Sequence, residues 1–450
     1  MASVRIGNGC GFWGDNLDAP IALAEGGRLD YLTLEYLAEL TMSILALQKQ
    51  RDPQSGFAGD FLDVLERLAP FLKAQPNLKV ITNAGGMNPA GCARQTRAIL
   101  DRHGLNDRRI GIVSGDDLLP DLDRLLGSGE PFTNLDDGGS LQTVRDRVVS
   151  VNAYLGARPI VTALEQGASI VITGRVADAS LTVAPAVHEL GWSWDDWNRL
   201  ASATVAGHLI ECGAQATGGL WCNWQEAPDL GNVGYPIVEI AADGSFSLTK
   251  TPESGGVVNV ETVAEQLLYE VGDSAAYLTP DVVADFTSVQ VQPVRRDTVG
   301  IRDVRGLPAT DSYKVSIAYR DGFMASGMLA ISGPNAQIKA KECGAIIFSR
   351  LWRAGVVPEH KNVELLGTND VVPGVLPVLF DPLEIVLRVS VRDSRRAVVE
   401  RFTKEIAPLV TSGPPGVTGY ATGRPPVREV FGYWPALVSK KMVTAQVALL

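Results

Sequence analysis

Between residue 4 and about residue 190, short β-branched runs alternate with longer amphipathic stretches, and this alternation constrains the fold more than any other feature of the chain. Strands are expected at 4–6, 31–37, 79–82, 109–114, 148–153 and 168–173. Helical patterns occupy 36–50, 57–72, 89–100, 118–126 and 179–190. Strand and helix in strict succession predict βα units around a mostly parallel sheet. A further helix over 197–212 follows, with Ser193 and Asp196 spaced as a capping box.

After Gly218-Gly219 the texture changes. Runs at 237–240 and 246–249 flank Asp243-Gly244, and runs at 313–319 and 323–331 flank Asp321-Gly322, so two hairpins are expected. Helices at 260–271, 336–352 and 394–406 and a strand at 383–391 complete this half. The fold class is therefore α/β, with a mostly parallel N-terminal domain over 1–225 and a second, α+β domain over 226–450. Residues 412–426, SGPPGVTGYATGRPP, hold 8 Gly or Pro in 15 and predict an irregular loop, either a surface connector or a lid.

Composition excludes several classes. With 46% apolar residues in 450, the chain buries real cores, and its 46 Gly and 26 Pro show no period. Lys and Arg number 40 against 51 Asp and Glu, a net charge of −11, which disfavours nucleic acid and anionic membrane surfaces as partners. The start carries no basic segment followed by an apolar one, so a cytoplasmic location is expected. Five scattered cysteines without a CxxC pair suggest neither a disulfide frame nor a zinc ribbon.

In open α/β sheets ligands bind beyond the carboxyl ends of the strands, and here those positions are rich in Gly, Asn, Asp and Arg. Gly9, Gly11 and Gly14 formally satisfy GxGxxG, but the bulky Phe12-Trp13 and the acid Asp15 stand where a dinucleotide's pyrophosphate would sit. The loop reads better as a tight turn presenting Asn8 to a substrate. Asn83-Ala84-Gly85-Gly86 precedes Asn88-Pro89, an N-cap followed by an N1 proline, and its glycines would let backbone amides approach an anion or carbonyl. Of Asp116 and Asp117, one can cap a helix and leave the other for metal or proton transfer. Arg175, directly after a buried strand, needs a partner, either Asp178 or a bound carboxylate or phosphate. Asn152 and Tyr154 end the fifth strand on the same rim. His208, Glu211 and Cys212 share one face of their helix, a spacing that serves an acid/base role, a nucleophile pair or a buried polar patch.

GNGCGFWGDNLDAP, LDYLTLEYLAELTMSIL, VITNAGGMNPAGCA, SGDDL, ITGRVADASL and GHLIECGAQATGG together resemble the acyclic terpene utilisation family. The likeness is dense from about residue 3 to 220 and continues more loosely to about 435. It implies catabolism through acyl-CoA intermediates. Longer members carry a C-terminal ferredoxin-fold extension of about 100 residues that this sequence lacks, which implies a separate small subunit.

The expected function is a catabolic hydro-lyase or carbon–carbon lyase acting on a branched-chain carboxylic acid or its CoA thioester. CoA could enter as part of the substrate, and no metal-ligating residues are singled out. Asn8, Asn83, Gly85, Gly86, Asn152, Tyr154 and Asp178 would bind substrate and Arg175 would polarise it. Asp116 would move the proton, with Glu35 or His208 as alternatives. Two other readings stand beside it, a thioester hydrolase using Cys212 or Asp116 and a non-catalytic subunit of a complex with a small ferredoxin-fold protein. A homo-oligomer is a further expectation.

Overall fold

The computed structural model describes residues 2–375, 382–421 and 423–450. They form two compact units, Met1–Ala318 with Tyr433–Leu450, and Tyr319–Gly432. The first begins β1 (Ser3–Asn8), α1 (Ala19–Gly26), β2 (Tyr31–Leu34), α2 (Glu39–Arg51), α3 (Asp60–Ala74), β3 (Lys79–Thr82), α4 (Pro89–Arg102), β4 (Ile110–Ser114), α5 (Leu122–Gly127) and β5 (Val148–Ala153). It continues through α6 (Arg158–Glu165), β6 (Ile170–Thr173), α7 (Ser180–Leu190), α8 (Trp197–Glu211), β7 (Pro236–Ala241), β8 (Phe246–Lys250) and α9 (Val260–Leu268). Then come β9 (Tyr277–Leu278), β10 (Val283–Asp285), β11 (Gln290–Arg295), β12 (Thr298–Arg302), β13 (Arg305–Leu307) and the long β14 (Ser312–Ser332). The remaining elements are α10 (Ala336–Arg353), β15 (His360–Leu366), β16 (Glu384–Asp393), α11 (Arg396–Thr403), α12 (Leu409–Ser412), β17 (Val417–Gly419), β18 (Arg428–Ser439) and β19 (Gln446–Leu449).

The main sheet of the first unit has ten strands in the order β11-β12-β8-β7-β1-β2-β3-β6-β4-β19. Its centre, β1-β2-β3-β6-β4, is parallel, and every other pairing is antiparallel, so the sheet as a whole is mixed. All four residues of β2 and of β6 are buried, as strands with both faces covered require. Helix α4 starts as its sequence demands, with Pro89 in the first turn and the Asn88 carboxamide accepting from Gly91 N at 3.0 Å. β9, β10 and β13 form a small separate sheet packed on α8.

Four expectations need correction. No unit boundary falls near residue 225, because β7 joins the first sheet antiparallel to β1, pairing Val238 with Ile6 and burying Ile237, Val238 and Ile240. The 313–331 stretch is one continuous strand and not a hairpin, since residues 323–332 pair with β16 and Gly322 takes a left-handed φ of +89° inside β14. β5 stands outside the main sheet and pairs instead with β14, where Tyr154 N donates to Lys314 O at 2.9 Å. The Ser193–Asp196 capping box is not made, because the Ser193 hydroxyl turns to Asp195 and Asp196 binds Arg199 Nη1 at 2.7 Å. In the Gly/Pro-rich 412–426 segment, Val417–Gly419 nevertheless forms β17, and position 422 lies outside the described residues.

The second unit is an antiparallel β15-β16-β14-β17 arrangement carrying α10 and α11. Along β16 burial alternates strictly, and Ile385, Leu387, Val389 and Val391 enter a core with Cys343, Ile347 and Phe402 of the helices. No described helix is long and apolar enough to cross a membrane.

Candidate active site

Beyond the carboxyl ends of the central strands, Arg175 is the organising residue. It follows β6, is 1% exposed, and ranks among the largest fully buried side chains of the protein. A buried guanidinium needs charge and hydrogen-bond partners, and it has them. Its Nη1 donates to Asp178 Oδ1 at 2.7 Å and to Leu37 O at 3.1 Å, and lies 3.8 Å from Glu35 Oε1. The Tyr154 ring stacks on it, with the guanidinium carbon 4.1 Å from the ring centroid. Its Nε has no hydrogen-bond partner.

Glu35, just past β2, is held on one side only. Oε1 accepts from Leu37 N at 3.1 Å and from the Asn83 carboxamide, whose own oxygen accepts from Tyr36 N at 2.8 Å. Oε2 is buried and unpartnered. Burial and the neighbouring Asp178 carboxylate push Glu35 well above the usual carboxylate range, against the opposing pull of Arg175. Asp178 is pushed up to about 6, first by burial, with Arg175 again opposing. Two carboxyl groups thus share one guanidinium and titrate as a coupled pair.

Glu35, Arg175 and Asp178 line a cavity of about 540 Å³ together with Glu39, Glu211 and Cys212, a size within the usual range for small-molecule sites. Glu39 was not singled out in the sequence. It accepts from Tyr154 OH at 3.0 Å and pairs with Lys314 at 3.3 Å, a contact 275 residues apart along the chain for which no local pattern gives a signal. Lys314 holds Glu39 below the usual carboxylate range despite its burial.

Other expected site residues serve the frame. Asn8 does not face a substrate, because its amide donates to Ile210 O at 2.6 Å and Cys10 O at 3.0 Å while its oxygen accepts from Thr33 at 3.0 Å, tying β1 and β2 to the end of α8. Gly85 and Gly86 are required by packing, since a Cβ on Gly85 would strike Thr173 O and Pro89, and one on Gly86 would strike Leu45. In the first loop Asp15 itself occupies the backbone amide of Gly11, at 2.7 Å, and takes the Tyr235 hydroxyl at 2.5 Å.

Asp116 is also part of the frame. Its Oδ2 accepts from Arg175 N and from Asn152 Nδ2, both at 2.9 Å, and it is not among the residues lining the cavity. Only a glycine fits beside it at position 174. Asp117 caps the following turn through Leu119 N at 3.1 Å. Burial pushes Asp116 from 3.8 up to about 6. A carboxyl raised in the folded state stabilises the fold fully below its unfolded pKa, and that contribution is lost as pH climbs through the folded value. Urea midpoints are therefore expected to fall between pH 4 and 6, and Asp116→Asn to remove roughly 3 kcal/mol of that fall.

His208 is likewise buried outside the cavity lining, against the rings of Tyr277 and Phe286. Nδ1 lies 3.1 Å from Glu211 Oε1 and Nε2 lies 2.8 Å from Gln266 O. Acceptors on both sides stabilise the doubly protonated ring. Burial lowers its pKa, but the Glu211 carboxylate outweighs this and raises it. A ring so committed steers Glu211, whose Oε2 is buried without a partner, and is not itself a base for substrate.

Among the described residues, no group of three or more His, Cys, Asp and Glu side chains is arranged to hold a metal ion. Comparison with curated proteins finds no match, and comparison with solved structures finds none. The site residues and the sheet that carries them lie within one full-length similarity: over residues 4–449 the chain matches the acyclic terpene utilisation family protein AtuA, and it belongs to that family.

Proposed function

We propose that the protein is a catabolic acid–base enzyme that eliminates or adds water, or cleaves a carbon–carbon bond, beside the carbonyl of a branched-chain carboxylic acid or its CoA thioester. The observation that carries this reading is the pair of carboxyl groups beside Arg175, one with a buried, unpartnered oxygen and a pKa raised by burial and the other pushed up to about 6. The family name supports the substrate class.

In the elimination direction Asp178 takes the proton from the carbon next to the carbonyl, and the electron pair forms the double bond. Glu35 gives its proton to the departing hydroxyl, which leaves as water. Arg175 stays between the two and offsets the charge as it passes from Asp178 to Glu35. Proton exchange with solvent resets the pair. A panel of branched 3-hydroxy acids and their CoA thioesters, assayed for double-bond formation, tests the proposal; wild type is expected to turn over a member of the panel and Asp178→Asn to lose at least a hundredfold. Equal rates in the two would overturn it.

A thiol hydrolase is less well supported. Burial, with Glu211 beside it, pushes the Cys212 thiol up to about 12, and both ring nitrogens of His208 are engaged elsewhere. Cys212→Ser is expected to keep turnover within a few-fold of wild type. Mild iodoacetamide is expected to label the exposed Cys222 ahead of the other four cysteines, without loss of activity.

A further inference from the structure

The Gly/Pro-rich 412–426 segment plays no part in the site above. It belongs to the second unit, where β17 pairs with β14 and the pairing stops at Leu329–Gly419. Past that point Gly419, Ala421 and residues 423–426 face the stretch of β14 from Ser326 to Leu329 across a hollow. The far wall is the 403–410 segment. It is seated against β14 through Ile406, which approaches Gly327 so closely that a Cβ there would lie 2.5 Å from Ile406 Cγ1.

These three segments enclose a cavity of about 550 Å³. Met328, Leu329, Ile406 and Val410 supply apolar wall, as do Pro425 and Pro426. Among the described residues, the charged ones that line it are Lys404 and Arg424, both cations, and no acid does, in a chain whose net charge is −11. Glu405, next to Lys404 in sequence, is turned away and bound to Arg401. A mostly apolar hollow with an uncompensated positive mouth has the form of a site for one ligand chemistry, an apolar chain ending in an anion.

The geometry points to a second binding site in this cavity, for a medium-chain aliphatic carboxylate whose tail lies against Leu329, Ile406 and Val410 and whose head is taken by Lys404 and Arg424. Each methylene of the chain that leaves water adds to binding, so length as well as charge contributes to affinity. The site is independent of the cavity at Arg175, and it stands whether or not the proposed reaction is correct.

Calorimetric titration of the full chain with decanoate, and with 1-decanol as the uncharged control, tests it. Decanoate is expected to bind at least tenfold more tightly than decanol. The exposed double variant Lys404→Glu/Arg424→Glu is expected to lose at least tenfold in decanoate affinity, and Ala407→Trp, which fills the hollow, to lose binding. Glu35→Gln is expected to bind decanoate as wild type does. No binding by wild type, unchanged affinity in the charge-reversed variant, or loss in Glu35→Gln would each overturn the assignment, the last by placing decanoate in the first cavity.

Discussion

Glu35→Gln is expected to lower turnover by about 10²–10⁴-fold while leaving the fold intact. Glutamine keeps an oxygen for Leu37 N and Asn83, so the local hydrogen bonds survive, but it has no acidic proton to offer from the position of Oε2. The pH profile separates this role from a structural one. With a base that must be ionised and an acid that must be protonated, kcat/KM is expected to be bell-shaped. The acid limb lies near pH 6, where Asp178 loses its proton, and the alkaline limb reports the raised Glu35. In Glu35→Gln the residual activity is expected to keep the acid limb and lose the alkaline one, whereas a merely structural residue would lower both limbs together.

Arg175→Met is expected to have the larger combined effect, costing about 3–5 kcal/mol of stability in addition to turnover. The substitution removes the cation that pairs with Asp178 and neighbours Glu35, frees the Leu37 carbonyl, and leaves the Tyr154 ring without its stacked guanidinium. Deprived of it, both carboxyl groups hold their protons more strongly, so whatever activity survives shifts to higher pH. Arg175→Lys is expected not to restore either property, because an ammonium cannot reach Asp178 and Leu37 while lying flat on Tyr154. Denaturant titration and a pH–rate profile of the two variants check this pair of expectations. Wild-type stability in Arg175→Met would contradict the buried ion cluster as described.

Much of the parallel centre of the main sheet was legible in the sequence, because buried parallel strands announce themselves as short apolar runs. The run at 79–82 coincides with β3, and those at 31–37, 109–114 and 168–173 contain β2, β4 and β6. Partner choice was not legible. The hairpin β7–β8 looks the same in sequence whether it starts a new sheet or extends an old one, and only the register of β7 on β1 decides between them. The same holds for β14, where Asp321-Gly322 carries turn chemistry but long-range pairing with β16 keeps the strand extended.

For the site, the strand-end rule singled out Asn83, Tyr154, Arg175 and Asp178, with Glu35 named only as an alternative proton carrier, and the structure brings these five together. What residue type and position could not tell is which polar side chains are already spent. Asn8 and Asp116 carry the same chemistry as a substrate-binding amide and a general base, yet their hydrogen bonds go to Ile210 and Cys10 and to Arg175 N and Asn152. The sequence by itself determined the secondary structure of the parallel centre, the family, and the set of polar residues that cluster at the strand ends, since these follow from local periodicity and turn chemistry. Only the tertiary structure decided which carboxyl groups face Arg175, which are pushed up by burial, and that Lys314 reaches Glu39. Burial and charge proximity are properties of contacts between residues distant in the chain, and no local pattern encodes them.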